Sequence, residues 1–318
     1  DYYIVKISTI NTNRKVKKME KVKLSNSLEM SRIVHGHWRL MDWNLSNEEL
    51  LKLVEEVNEL GITTIDHADI YGNFCCEEKF GDALNLKKGL REKLQIVTKC
   101  GIKFPSVNRP ENKSHCYDTS KEHIIKSAER SLKNFKTDYL DLLLIHRVDA
   151  LLNPEEVAEA FSKLKNEGKV RNFGVSNFLP AQFNMLNSYL DEKLVTNQIE
   201  VSPLNLEHFE NGTLDLMLEK RVKPMAWSPL AGGRIFKGED EASIRVRKVL
   251  NKIKEEVSAK DIDEVVYAWI LMHPSKIVPI VGSGNLDRIK SAVRATDLNL
   301  TRDQWFEIYV AGRGVDIP

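Results

Sequence analysis

Cysteine, an excess charge of one sign and long apolar runs are all scarce in this chain, and each scarcity excludes a class of protein. Only four cysteines, Cys75, Cys76, Cys100 and Cys116, occur in 318 residues. None stands in a CxxC pair, so neither a zinc site nor a disulfide framework fits, and free thiols in a reducing compartment are expected. The 47 Lys and Arg residues face 46 Asp and Glu, a net charge of +1. That balance provides no basic field for a nucleic-acid partner. Apolar runs such as residues 139–145 and 277–281 fall far short of the ~20 residues that span a bilayer, so no membrane partner is expected and a cytoplasmic location is. The first 18 residues carry Lys and Arg but neither the apolar core nor the cleavage site of a signal peptide. Residues 1–18 therefore read as an extension that packs loosely, and 19–318 as one domain beginning at Met19.

Several nucleotide, hydrolase and metal signatures are also missing. Residues 282–287, GSGNLD, hold only two glycines of GxGxxG, and residues 174–178, GVSNF, lack the last glycine of GxSxG. There is no GxxxxGK[ST] loop and no HExxH. A Rossmann pyrophosphate loop, a serine-hydrolase elbow and a metal centre are all unsupported.

What is present is an ordinary globular composition, 42% hydrophobic and 29% charged, arranged with a repeating rhythm. From about residue 30, short β-branched runs alternate with longer segments of helical period. The expected strands are 32–35, 62–65, 94–98, 139–145, 170–175, 194–199, 223–227 and 277–281. Helical segments 46–60 and 153–166 open on SNEE and NPEE, each a capping residue followed by acids that suit the helix dipole. Gly61 and Gly168 stand where left-handed C-caps belong. Eight such units close into a (β/α)8 TIM barrel, an α/β fold, and no repeat or linker marks a second domain. Residues 22–29, broken by Ser25-Asn26-Ser27, are expected to form an N-terminal β-hairpin closing the barrel floor, and a C-terminal helix and tail complete the chain. The long connections 104–119 and 232–242 are candidate substrate walls, because the βα loops of a barrel cover its active face.

Polar residues gather at the C-terminal ends of these strands: Asp66, Lys99, His146, Ser176 and Asn177, Gln198, Trp227 and Ser228, then Ser283. In a barrel they converge on one rim. Each alone has a plain structural use. Lys99 is a solvated strand end, His146 a core histidine, Asp66 a helix cap, and nearby Tyr71 a half-buried amphipathic ring. Seven coincidences in succession favour a site instead.

The segment GITTIDHADIYG (61–72), with Asp66 and Tyr71 five apart, resembles the aldo-keto reductase superfamily. IVTK ending at Lys99, DLLLIHR containing His146, GKVRNFGVSNF (168–178), Asn197-Gln198 and AWSPL (226–230) follow in the family's order. Within that superfamily, HADIYG, HIIKSAE, NQIEVSP and VVYAWIL are most similar to bacterial oxidoreductases of the YdhF type. The resemblance implies an NADPH-dependent enzyme reducing a small-molecule carbonyl, with NADH also possible. Tyr71 would be the acid in reduction and the base in oxidation. A free tyrosine is a reluctant acid, so Lys99 is expected to lower its pKa, Asp66 to hold the ammonium, and His146 to orient the carbonyl.

For the cofactor, the resemblance assigns Ser176, Asn177 and Gln198 to the nicotinamide carboxamide, Trp227 to stacking on its ring, and Ser228 with the backbone at Leu230 to the pyrophosphate. Ser283, Asn285 and Arg288 correspond to the 2′-phosphate site. Gly282 stands where many relatives carry lysine, and Ala292 where they carry asparagine, which narrows the margin of NADPH over NADH. His37, Trp38 and Trp43 are expected to form an aromatic substrate wall suited to aldehydes, ketones or quinones of some bulk. Two other functions share these residues: a barrel hydrolase or lyase using Asp66, His146 and Lys99, and a non-catalytic NADPH-binding regulatory barrel.

Overall fold

The computed structural model describes residues 19–318, and the expectation for residues 1–18 lies outside the described residues. Eight parallel strands close into a barrel: β1 (Val34–Gly36), β2 (Thr64–Asp66), β3 (Gln95–Cys100), β4 (Leu142–Ile145), β5 (Phe173–Ser176), β6 (Asn197–Glu200), β7 (Met225–Trp227) and β8 (Val278–Val281). They pair in sequence order, and β8 returns to β1 through Ile280 beside Val34. The strands are those expected, but most begin two or three residues later. Side chains explain two of these late starts. Asp141 turns its carboxylate to accept the Ile96 N–H at 2.9 Å, taking a ladder partner's place just before β4. Arg32 leaves the ladder to donate to the carbonyls of Leu271, at 3.0 Å, and Ile277.

Helices alternate with the strands and stop on the signals read from sequence. The helix Asn47–Glu59 has Ser46 as N-cap in a full capping box with Glu49, and Asn153 caps Pro154–Asn166. Gly61 and Gly168 follow these helices at φ of 87° and 71°, a left-handed conformation that costs glycine little. The expected hairpin forms between Lys21–Lys23 and Glu29–Ser31. The C-terminal helix is Arg302–Arg313.

Strand alternation divides the core into layers. Val34, Val97, Leu142, Leu144, Met225, Val278 and Ile280 fill the barrel interior, and Val22, Leu28 and Met30 of the hairpin plug its lower end. The neighbours of opposite parity, such as Ile96, Leu143 and Ile145, face the helices instead. The same alternation aims Asp66, Lys99, His146 and Gln198 inward at the top. The connection 104–119 is braced at its base by a two-stranded ribbon, Ile102–Lys103 with Cys116–Tyr117. The connection 232–242 holds one helical turn, Arg234–Lys237.

Candidate active site

Lys99 is at the centre of the barrel mouth and is 1% exposed, and Asp66 beside it is 3% exposed. The Lys99 ammonium has three N–H donors and commits all of them: to Asp66 Oδ2 at 2.8 Å, to the His67 carbonyl at 2.7 Å and to the Tyr71 hydroxyl oxygen at 3.1 Å. Asp66 accepts on its other oxygen from the Gln198 amide at 2.7 Å. Burial lowers the Lys99 pKa, but attraction from Asp66 and Tyr71 outweighs it, and the net direction is upward. Lys99 is thus held charged.

Because Tyr71 accepts from Lys99, its own O–H points its proton elsewhere. Lys99 lowers the Tyr71 pKa as expected, but desolvation is larger and the net direction is upward. The expected net depression is therefore corrected: burial keeps the phenol neutral and proton-bearing. His146 is 9% exposed, and its ring centroid is 6.0 Å from that of Tyr71. Burial first, then the charges of Lys99 and Arg147, push its pKa well below the usual histidine value, so the imidazole is neutral. The arrangement offers a neutral phenol as donor and a neutral imidazole beside it.

The strand ends adjoining this group are tied together. The Ser176 hydroxyl donates to the Gln198 carbonyl at 2.8 Å, and the Asn177 amide donates to Ser176 Oγ at 2.9 Å. Asn177 Oδ1 accepts the Trp227 indole N–H at 3.0 Å. Asn177 and Ser228 take φ values of 61° and 50°, bending the chain sharply as it leaves β5 and β7. Leu230 is half-buried one turn further on. After β8, Ser283 Oγ accepts from the Asn285 N–H at 3.1 Å. Asn285 Oδ1 caps the helix Leu286–Arg294 through the N–H groups of Asp287 and Arg288. The Arg288 guanidinium is exposed and makes no ion pair among the described residues.

Of the three aromatic residues expected to line the substrate wall, only Trp38 stands open, at 58% exposed. His37 is fully buried between the barrel and its helices, in ring contact with His67 and Phe80, so it does not face the mouth. Trp43 is half-buried, stacks on His35 at 5.6 Å, and lies under Gly284, where an added Cβ would meet its ring at 2.6 Å. His35 Nε2 hydrogen-bonds the Ser283 carbonyl at 2.8 Å, and His37 Nε2 bonds His35 Nδ1 at 3.1 Å. Both Trp43 and the histidine row thus support the loop after β8. One mouth residue was absent from the expected set: Arg147, directly after His146, which reaches across to within 5.7 Å of the Trp227 ring centre. Its only sequence signal was a charge beside a strand-end histidine. Among the described residues no group of His, Cys, Asp and Glu is arranged to hold a metal.

A closed parallel barrel whose mouth sets a charged lysine against a buried carboxylate and a tyrosine hydroxyl has the architecture of a barrel enzyme. The chain belongs to the aldo/keto reductase family, whose model matches residues 32–311, and is an oxidoreductase acting on carbonyl groups. It is 55% identical over 300 residues, 94% of this chain and all of the relative, to the uncharacterized oxidoreductase YcsN of Bacillus subtilis. To the oxidoreductase YdhF of Escherichia coli it is 52% identical over 91% of this chain and 96% of that protein. A 6-dehydroglucose reductase of Agrobacterium fabrum is 44% identical over 94% of this chain and all of its own. Among solved structures, the thermostable aldo-keto reductase Tm1743, in complex with the inhibitor epalrestat, superposes with a TM-score of 0.78 at 26% identity, covering 92% of this chain and all of that one. Members of this family use nicotinamide cofactors.

Proposed function

We propose that the protein is an NADPH-dependent reductase of aldehydes and ketones in which Tyr71 delivers the proton. The observation that carries this reading is the full commitment of the Lys99 ammonium, which leaves the Tyr71 O–H as the free donor of the cluster. A reduced nicotinamide bound at the mouth supplies the hydride. As negative charge builds on the carbonyl oxygen, Tyr71 gives up its proton, a general-acid contribution of roughly 10²–10⁴-fold in rate. Lys99 then sits against the phenolate it helped to form, and Asp66, fixed by Gln198, keeps the ammonium in place. Neutral His146 offers its ring to the same oxygen and fixes the carbonyl's orientation.

The residues around the mouth suit a nicotinamide dinucleotide. Ser176, Asn177 and Gln198 form a pre-ordered edge for a carboxamide, with the Gln198 side-chain Oε1 uncommitted among the described residues, and Trp227 is held by its indole N–H beside it. Ser228 and the backbone at Leu230 would meet the pyrophosphate. Ser283, the helix N-terminus capped by Asn285, and Arg288, unpaired among the described residues, form an electropositive corner for a 2′-phosphate. The decisive experiment follows loss of reduced cofactor across a panel of aldehydes, ketones and quinones with NADPH and with NADH. NADPH oxidation with at least one carbonyl is expected. Tight NADPH binding without oxidation by any of them would establish the non-catalytic regulatory barrel instead, and turnover without nicotinamide the hydrolase or lyase.

A further inference from the structure

His35 and His37 are fully buried imidazoles that the proton-transfer group does not use. A carbonyl oxygen can only accept, so the 2.8 Å bond to Ser283 makes His35 Nε2 the protonated nitrogen. Burial holds the His35 ring neutral, its pKa lowered to about 4, so His35 Nδ1 is bare and accepts from His37 Nε2–H. The direction of the pair is thereby fixed. His37 Nδ1 meets no partner among the described residues, and Lys99 bonds the His67 carbonyl rather than a histidine ring. The pair therefore delivers its one outward hydrogen bond to the Ser283 carbonyl. Among the described residues, that bond is also the only one tying Ser283, Gly284 or Asn285 to anything beyond their own loop and helix. Val281 pairs with His35 in the ladder, so the loop starts beside this ring. The Trp43 ring lies parallel to His35, within 8° at 5.6 Å, and leaves no room for a side chain at Gly284, where an added Cβ would come within 2.6 Å. His35 and Trp43 thus bear on the loop at two adjacent points.

We propose, resting on the cofactor reading above, that His35 and Trp43 form a positioning platform for the Ser283–Asn285 loop. The platform holds the loop where the Ser283 hydroxyl, the helix N-terminus and Arg288 converge on a 2′-phosphate, and it thereby sets the preference for NADPH over NADH. Two fully buried imidazoles are a costly filling between Trp43 and Phe80, where apolar side chains would avoid their desolvation. What they add is direction, because a hydrogen bond orients the Ser283 carbonyl in a way that packing alone does not. Phosphate contacts are sensitive to such placement, since charge-assisted hydrogen bonds are made at about 2.7–2.9 Å. The residues read as the nicotinamide edge, Ser176, Asn177, Gln198 and Trp227, share no hydrogen bond with this loop among the described residues. A loosened platform therefore acts on the 2′-phosphate and spares the hydride-transfer end.

The test measures NADPH and NADH affinities by fluorescence titration for wild type, His35→Leu, His35→Gln, Gly284→Ala and Arg288→Ala, with turnover at saturating NADPH alongside. His35→Leu removes the donor at similar volume and should weaken NADPH binding roughly threefold to tenfold, the worth of one hydrogen bond. NADH affinity should change by less than about twofold, and turnover at saturating NADPH should stay near that of wild type. His35→Gln keeps an N–H at comparable reach and should recover part of the loss. Gly284→Ala drives a methyl group into the Trp43 ring and should reproduce the NADPH-selective loss without altering a polar group, so the platform stays testable if His35→Leu fails to fold. Equal losses for the two cofactors, a Gln variant no better than Leu, or an unchanged NADPH affinity in Gly284→Ala would each overturn the assignment. If Arg288→Ala weakens both cofactors equally, or wild type binds neither, the 2′-phosphate reading fails first and this inference with it. If Arg288→Ala is selective for NADPH while His35→Leu and Gly284→Ala are not, only this inference fails.

Discussion

Replacing Lys99 with methionine tests whether the buried ion pair holds the site together. Methionine matches the lysine stem in length and apolar character, so the change removes the ammonium with little lost packing. Asp66, 3% exposed, is then left with only the Gln198 amide as partner, and the His67 carbonyl and Tyr71 oxygen each lose a donor. Breaking a buried pair from one side costs about 3–5 kcal/mol. The remaining Gln198 hydrogen bond places the expected loss at the lower end, about 3 kcal/mol, or roughly 4–5 °C in Tm at an unfolding entropy of about 2.1 cal/mol/K per residue. Adding Asp66→Asn to Lys99→Met removes the stranded charge and should return part of that loss. Thermal unfolding without cofactor measures both variants. A Lys99→Met protein melting within about 2 °C of wild type, or a double variant no more stable than the single, would refute the reasoning. Because the Lys99 pKa is raised on folding, its stabilisation is complete below the ordinary lysine value of 10.5 and is lost as pH climbs through the higher folded value.

Other outcomes follow from the same geometry. Arg288→Ala should weaken NADPH binding roughly tenfold or more while leaving NADH nearly unchanged, and equal losses in titrations of the two cofactors would remove Arg288 from the 2′-phosphate site. Gly282→Lys should strengthen NADPH binding, since nothing lies within 4 Å of an added Cβ there; an unchanged NADPH affinity would contradict this. Four buried histidines, His35 (pKa lowered to about 4), His37, His67 and His146, remain unprotonated when folded because burial disfavours their charge. The unfolded chain therefore binds more protons at these positions, and their effect is to reduce stability as pH falls through about 6.5. Asp69 and Glu77, raised mainly by burial, act in the opposite sense. The four histidines outnumber the two carboxyls, so stability is expected to fall as pH drops from 6.5 to 5. Urea unfolding across that range measures it, and rising stability on acidification would contradict the assignment.

The architecture was legible because β-branched runs and helix caps are local signals. Ser46, Asn153, Gly61 and Gly168 act at the positions their chemistry suggested. Strand starts were less legible, because Asp141 and Arg32 bond to backbone far away in sequence. The rim cluster could be read because strand ends converge in any barrel, whereas the aromatic wall could not. Its residues were judged by nearness to β1, yet His37 continues the outward parity of His35. Trp43 is placed by Gly284, which no local pattern links to it. The balance at Tyr71 was also hidden, since neighbours can be guessed from a motif but the degree of burial cannot.

The most direct test of the account is a single-turnover measurement on Tyr71→Phe, mixing the NADPH complex with an aldehyde that wild type reduces and following loss of reduced cofactor. The variant removes one hydroxyl and leaves the bonds of Lys99 to Asp66 and His67 available. The account predicts unchanged NADPH affinity and a reduction rate at least roughly 100-fold below wild type. A rate close to wild type, with NADPH still bound, would show that the proton comes from another group.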